Sequence, residues 1–203
     1  MDIKIPEMID LVFDLEGGTL HAAYPFALWD ALLHHVPQLA EEKFVGVLPL
    51  RATENKEGVL LPKRAKLVLR LPKTLADHTA ARLSGVTVQL GAIPLSLGKC
   101  KPRAIQPSHT IHAQQVTGAS DEVLFMDDIS TKLSEMGIAA KLICGKSRTI
   151  GGDQRSIRGY SLVVHDLKPE ASLQLQYAGV GENRQFGCGI FIPYKVISGL
   201  SDE

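Results

Sequence analysis

Twice along 203 residues the apolar pattern runs through the same order: strand, helix, strand, strand, helix, strand. That order constrains the fold more than any other feature. "MIDLVFDLEG" (residues 8–17) alternates as a strand does, and "YPFALWDALLHHVPQL" (24–39) switches to helical spacing, stopped by Pro37. "KFVGVLPLRA" (43–52) reads as a second strand; in "GVLLPKRAKLVLRLP" (58–72) Leu67, Leu69 and Leu71 alternate with Lys66, Val68 and Arg70 as a third. "PKTLADHTAARLSG" is a helix with Pro72 near its start and Gly85 beyond its end. "VTVQLGAIPLSLG" is a fourth strand, or a hairpin broken at Gly91 and Pro94. Residues 99–108, "KCKPRAIQPS", are basic and proline-containing and read as a linker.

The order then repeats. "TIHAQQVTG" is a strand, and "SDEVLFMDDISTKLSEMG" a helix with Ser120 as N-cap and Gly137 as its stop. "IAAKLICGK" is a strand, followed by a basic glycine-containing loop over 145–159. "YSLVVHDL" is a strand, "KPEASLQLQYAG" a helix with Pro169 in its first turn, and "GCGIFIPYKVI" the closing strand. Two βαββαβ units make an α+β chain of two tandem ferredoxin-like (RRM-like) domains, 1–98 and 109–203, with both helices of each on one sheet face. Such a fold leaves the other face bare, a common platform for RNA.

Composition narrows the partners. Lys and Arg total 22 and so do Asp and Glu, so any polyanion site is a local patch. The three cysteines lie far apart without C-x-x-C spacing, which fits a reducing cytoplasm. No signal-peptide layout or membrane-length apolar run is present, and no cofactor is implied.

"GVGENRQFGCG" (179–189) spaces Gly179, Gly181, Gly187 and Gly189 as two Gly-hydrophobic-Gly triplets. A helix C-cap explains Gly179 alone. The backbone N–H groups of such a loop suit phosphates, with Asn183, Arg184 and Gln185 reaching RNA backbone or bases. The loop lacks the Gly-Lys-Ser/Thr ending of a nucleotide-binding P-loop.

The spacing, followed by an apolar strand on this tandem architecture, resembles the C-terminal glycine-rich loop of the repeat-associated (RAMP) CRISPR proteins. Chain size and element order are similar to their precursor-CRISPR-RNA processing endoribonucleases. "HHVPQL", "LICGKSRT", "SLVVHDL" and "GCGIFIPYK" look most like the Myxococcus-type branch. The resemblance implies binding of the repeat hairpin of precursor CRISPR RNA and metal-independent cleavage at its 3′ base by the ribose 2′-OH, leaving a 2′,3′-cyclic phosphate. It also implies partners among the other subunits of a type I CRISPR effector complex.

That chemistry needs a base, a proton donor and positive charge at the phosphate. No D-x-D or H-x-H cluster offers a metal site. Of seven histidines, His34 and His35 end the first helix, where the resemblance implies the catalytic histidine. His35 falls at the edge of the apolar stripe, in line with Tyr24, Leu28 and Ala31, and is preferred; His34 projects toward Asp30 and is the runner-up. His21, His112 and His165 read as surface or sheet histidines, Tyr24 as core, and no second catalytic partner stands out. Lys63, Arg64, Lys66 and Arg70 form one basic group. Lys146, Arg148, Arg155 and Arg158 in the loop 145–159, opposed by Asp153, form the stronger one for RNA. Competing readings are a non-catalytic subunit that holds the processed hairpin, and a binding module for small molecules or proteins.

Overall fold

The computed structural model of the protein describes residues 4–56, 58–152 and 154–194. In β1 (Met8–Glu16), Leu11, Phe13 and Leu15 are buried on the helix-covered side, and Asp10, Val12 and Asp14 alternate with them on the other. There follow β2 (Thr19–Leu20), α1 (Tyr24–His35), β3 (Gly46–Val47), β4 (Thr53–Asn55), β5 (Gly58–Leu60) and β6 (Lys66–Pro72). The first unit closes with α2 (Ala76–Leu83), β7 (Thr87–Leu90), β8 (Ile93–Leu97) and β9 (Lys101–Ala104). The second unit holds β10 (Ile111–Thr117), α3 (Glu122–Glu135), β11 (Lys141–Gly152), β12 (Arg155–His165), α4 (Pro169–Ala178) and β13 (Ile192–Pro193).

The sheets run β3-β6-β1-β8-β7, with β9 also on β1, and β11-β12-β10-β13; the pairings are antiparallel. In both units the first strand lies between the third and the last, which is the ferredoxin-like order and confirms the tandem α+β fold. One core gathers Leu11, Phe13, Leu28, Leu32 and Leu67, and a second gathers Ile111, Phe125, Ile129, Leu162 and Phe191.

Several elements differ from the sequence reading. Lys101–Ala104, within the expected linker, is a strand: β8 covers β1 only at Leu15 and Glu16, and β9 continues the ladder from Val12↔Lys101 to Ile9↔Ala104. Pro102 is tolerated because β9 is an outer strand needing no donor on its free side. "VTVQLGAIPLSLG" forms the hairpin β7-β8, turning at Gly91. Of "KFVGVLPLRA" Gly46–Val47 is strand, paired with β6, and the Leu48 N–H donates to Val68 O at 3.0 Å. The unforeseen β2, β5 and β4 make a small separate sheet. The N-cap of α3 is Asp121, whose carboxylate accepts the Leu124 N–H at 3.0 Å, not Ser120. The closing strand reaches only Pro193, and residues 195–197 of that expectation lie outside the described residues. No helix among the described residues is long and apolar enough to cross a membrane.

Candidate functional site

Helix α1 buries Leu28, Ala31 and Leu32, and Pro37 begins a 3-10 turn just beyond its end. At about 100° per residue, His35 falls within about 40° of both Leu28 and Ala31 and is half-buried. His34 lies about 40° from Asp30 and is exposed. Their rings stand edge to face, 5.4 Å between centroids. The Arg82 Nε–H of α2 donates to the His35 carbonyl at 3.2 Å, tying the ends of the two helices together. Tyr24 packs on the first core and its hydroxyl accepts the Leu50 N–H at 3.0 Å, so it belongs to the scaffold. His21 is exposed, and its Nδ1 accepts the Ala23 N–H at 3.1 Å ahead of α1.

The glycine-rich loop follows α4 and folds on itself. Gly179 has φ 66°, and a Cβ there would collide with Arg184 Nη1 and the Gly189 carbonyl. What comes close to Gly179 and Gly189 is the chain's own backbone and one buried arginine, and Gly187 meets Pro49. Gly179 N–H donates to Leu175 O at 2.8 Å, Gly187 N–H to Arg184 O at 3.0 Å, and Gly189 N–H to Gln115 O at 2.8 Å. The expectation that these three N–H groups hold phosphate is therefore corrected: all are bonded within the protein, and the three glycines are buried.

Arg184 is corrected likewise. Only 6% exposed, it donates from Nη2 to Phe44 O at 3.1 Å and to Tyr177 O at 3.2 Å, spanning both units. Burial, and then the Arg70 charge, lower its pKa to about 10. Gly181 is exposed, and Asn183 and Gln185 are half-buried on the outer turn of the loop.

The stretch 145–159 is a hairpin rather than a loop. Ladder pairs run from Lys141↔His165 to Gly152↔Arg155, with a bulge between Cys144 and Ser147. Lys146, Arg148 and Arg158 are exposed along it; Asp153 lies outside the described residues. Arg155 caps the rings of Phe26 and Phe186, 4.7 and 4.5 Å from their centroids, and these rings meet edge to face at 4.9 Å. Ile157, Phe186 and Cys188 form a small third core, against which Phe26 and Trp29 of α1 pack. Burial pushes the Cys188 thiol up to about 12, so it serves as filling.

Between the two bare sheet faces lies a cleft of about 610 Å³. Arg64 and Lys66 line it as cations, whereas Lys63 is exposed nearby and does not. Lys66 also pairs with Asp14. Arg70 reaches the cleft only as a buried residue, forked onto Asp10 by Nε at 2.7 Å and Nη2 at 3.0 Å, which takes it out of the basic group with Lys63, Arg64 and Lys66.

The sequence reading missed Arg51, Arg103 and His112 as lining residues. His112 carried a signal, since it alternates with buried Ile111 and Ala113 and so faces the bare side. Burial, then nearby Arg148, lower its pKa. Tyr194 lies against it at 5.7 Å between ring centroids and is exposed.

The family model described as "Cas6 Crispr" matches residues 9–196. The "CRISPR-associated endonuclease Cas6" of Myxococcus xanthus (strain DK1622) is 33% identical over 187 residues, covering 91% of this chain and 81% of that protein. A solved structure described as "An RAMP protein binding different RNA substrates" superposes with a TM-score of 0.71 at 14% identity, covering 92% of this chain and 100% of the other. A "CRISPR associated protein Cas6" gives 0.66 at 13% identity, covering 93% and 100%.

Proposed function

The chain belongs to the Cas6 family, and from that premise we propose that it processes precursor CRISPR RNA as an endoribonuclease, gripping the repeat hairpin and cutting at its 3′ base without a metal ion. The observation that carries this reading is the double engagement of α1. Its first turn is clamped through Phe26 to the basic hairpin β11-β12, and its last turn carries His34 and His35. From Phe26 to His34 is eight residues, about 12 Å along the axis. The basic hairpin and the two histidines thus meet opposite ends of one helix.

In the proposed step the ribose O2′ attacks the adjacent phosphorus. The O2′–P bond forms, the P–O5′ bond breaks, the 2′ proton passes to the His35 imidazole, and the departing O5′ takes a proton from solvent water. The products are a 2′,3′-cyclic phosphate and a 5′-hydroxyl. Imidazole suits this work because it exchanges protons near neutral pH. His35 is the first choice, because it is half-buried along the apolar line of α1; exposed His34 is the second. The cleft offers Arg51, Arg64, Lys66 and Arg103 to a single-stranded flank of the repeat. Gly181, Asn183 and Gln185 remain proposed RNA contacts at the outer turn of the glycine-rich loop.

The test is repeat RNA incubated with pure protein and EDTA, with both fragment ends mapped. One cut at the hairpin's 3′ base, with a cyclic phosphate, is expected. Dependence on added magnesium would overturn the mechanism. Tight binding by an inert wild-type protein would instead favour a non-catalytic hairpin-holding subunit.

A further inference from the structure

The histidine pair by itself leaves the developing charge on the phosphate unanswered. Arg82, in the last turn of α2, is exposed, and its Nε–H is committed to the His35 carbonyl at 3.2 Å. A guanidinium has five N–H donors. The four on Nη1 and Nη2 have no hydrogen-bond or ion-pair partner among the described residues. The side chain thus crosses from α2 to the carbonyl end of α1, where the partial negative charge of the helix terminus favours a cation. There it presents a planar donor fork at the His35 main chain. Such a fork matches two oxygens of a phosphate, and its one bond to backbone fixes it without neutralising it.

We propose that Arg82 is a catalytic residue that holds the non-bridging oxygens of the scissile phosphate while His35 handles the 2′ proton. This rests on the cleavage reading given above. Arg82 transfers no proton and stays charged throughout; bonds form and break as already written. Its donors are in position before the phosphate gains charge, which is where such groups accelerate a reaction most. The competing role is mechanical: Arg82 ties down the end of α1 and touches no RNA.

Single-turnover cleavage by Arg82→Ala and Arg82→Lys, run beside His35→Ala and His34→Ala, separates the two roles. Affinity is measured on the same RNA with a 2′-deoxyribose at the scissile position, and thermal melting is followed alongside. Arg82→Ala is expected to slow cleavage by about 10²-fold, with affinity and melting nearly unchanged. Arg82→Lys should be impaired less. Added guanidinium ion at millimolar concentration should recover part of the Arg82→Ala rate and none of the His35→Ala rate. A wild-type rate in Arg82→Ala, a slow rate that guanidinium leaves unaltered, or a loss confined to affinity each overturns the assignment. If the histidine variants are dead while Arg82→Ala cuts normally, this assignment falls and the cleavage reading stands. If neither histidine variant is slowed, the histidine assignment fails first and takes Arg82 with it, while cleavage itself stands; an inert wild-type protein overturns the cleavage reading.

Discussion

At the scale of single residues, neighbours on one helical turn have different surroundings, and that difference is testable. His35 lies along the buried line of Leu28 and Ala31, and His34 faces solvent. His35→Ala is expected to slow single-turnover cleavage by about 10²- to 10⁴-fold with little change in affinity, as for a group acting on a proton in flight. His34→Ala should be milder. Both change the same turn, so each controls for the other's effect on folding. A dead His34 variant beside a normal His35 variant would reverse the roles. The facing of these two was legible because helical periodicity reports direction directly. The fate of Arg184 was not. "GENRQFG" is polar and glycine-rich, which reads as exposed loop, yet Arg184 turns inward to carbonyls of Phe44 and Tyr177, one of them 140 residues away in sequence. Nothing local distinguishes an arginine that serves distant carbonyls from one that serves a phosphate.

At the scale of elements, most strands and all four α-helices were legible from periodicity, with errors where a ladder ruled instead. Residues 101–104 carry no apolar alternation; they are a strand because β1 had an edge left to pair. Residues 145–159 looked like a loop because Gly145, Gly151, Gly152 and Gly159 interrupt the pattern, but ladder pairing beyond a bulge makes them a hairpin. At Gly145 and Gly159 a Cβ would strike the Ser161 side chain and the Val116 carbonyl, so these glycines permit close strand approach. A hairpin whose Lys146, Arg148 and Arg158 are exposed suits the grooves of an RNA stem. Lys146→Ala with Arg148→Ala should weaken binding of the repeat hairpin and flatten its dependence on salt. If each contacts one phosphate, the slope of log K against log salt changes by about 1.8 for duplex-like RNA. Titrations over a range of potassium chloride concentrations check this; an unaltered slope would mean that the hairpin does not touch RNA.

At the scale of the whole molecule, the two units are locked together by arginines from each side. Arg184 runs from the second unit to the Phe44 carbonyl of the first. Arg70 runs the other way: its fork holds Asp10 within the first sheet, and its Nη1 donates to Phe191 O at 2.5 Å and Gln176 O at 3.2 Å in the second unit. Arg70 is 1% exposed, so its removal strands a carboxylate, partnered then only by Arg103, and two carbonyls away from water. Breaking a buried pair from one side costs about 3–5 kcal/mol, or roughly 6–20 °C in melting temperature for a chain of this length. Arg70→Ala is therefore expected to lose that much. Because the lost contacts join the units, its calorimetric trace should also broaden or split where the wild type melts once. Pairing Arg70→Met with Asp10→Asn removes both charges and should recover part of the loss, since no carboxylate is then stranded. The cleft and the placement of α1 against the hairpin depend on this lock. Arg70→Ala should consequently bind repeat RNA more weakly even below its melting transition. A melting shift of under about 2 °C with a single sharp transition would show that the bridge contributes nothing, and that packing of Phe26 and Trp29 on Phe186 holds the units in register.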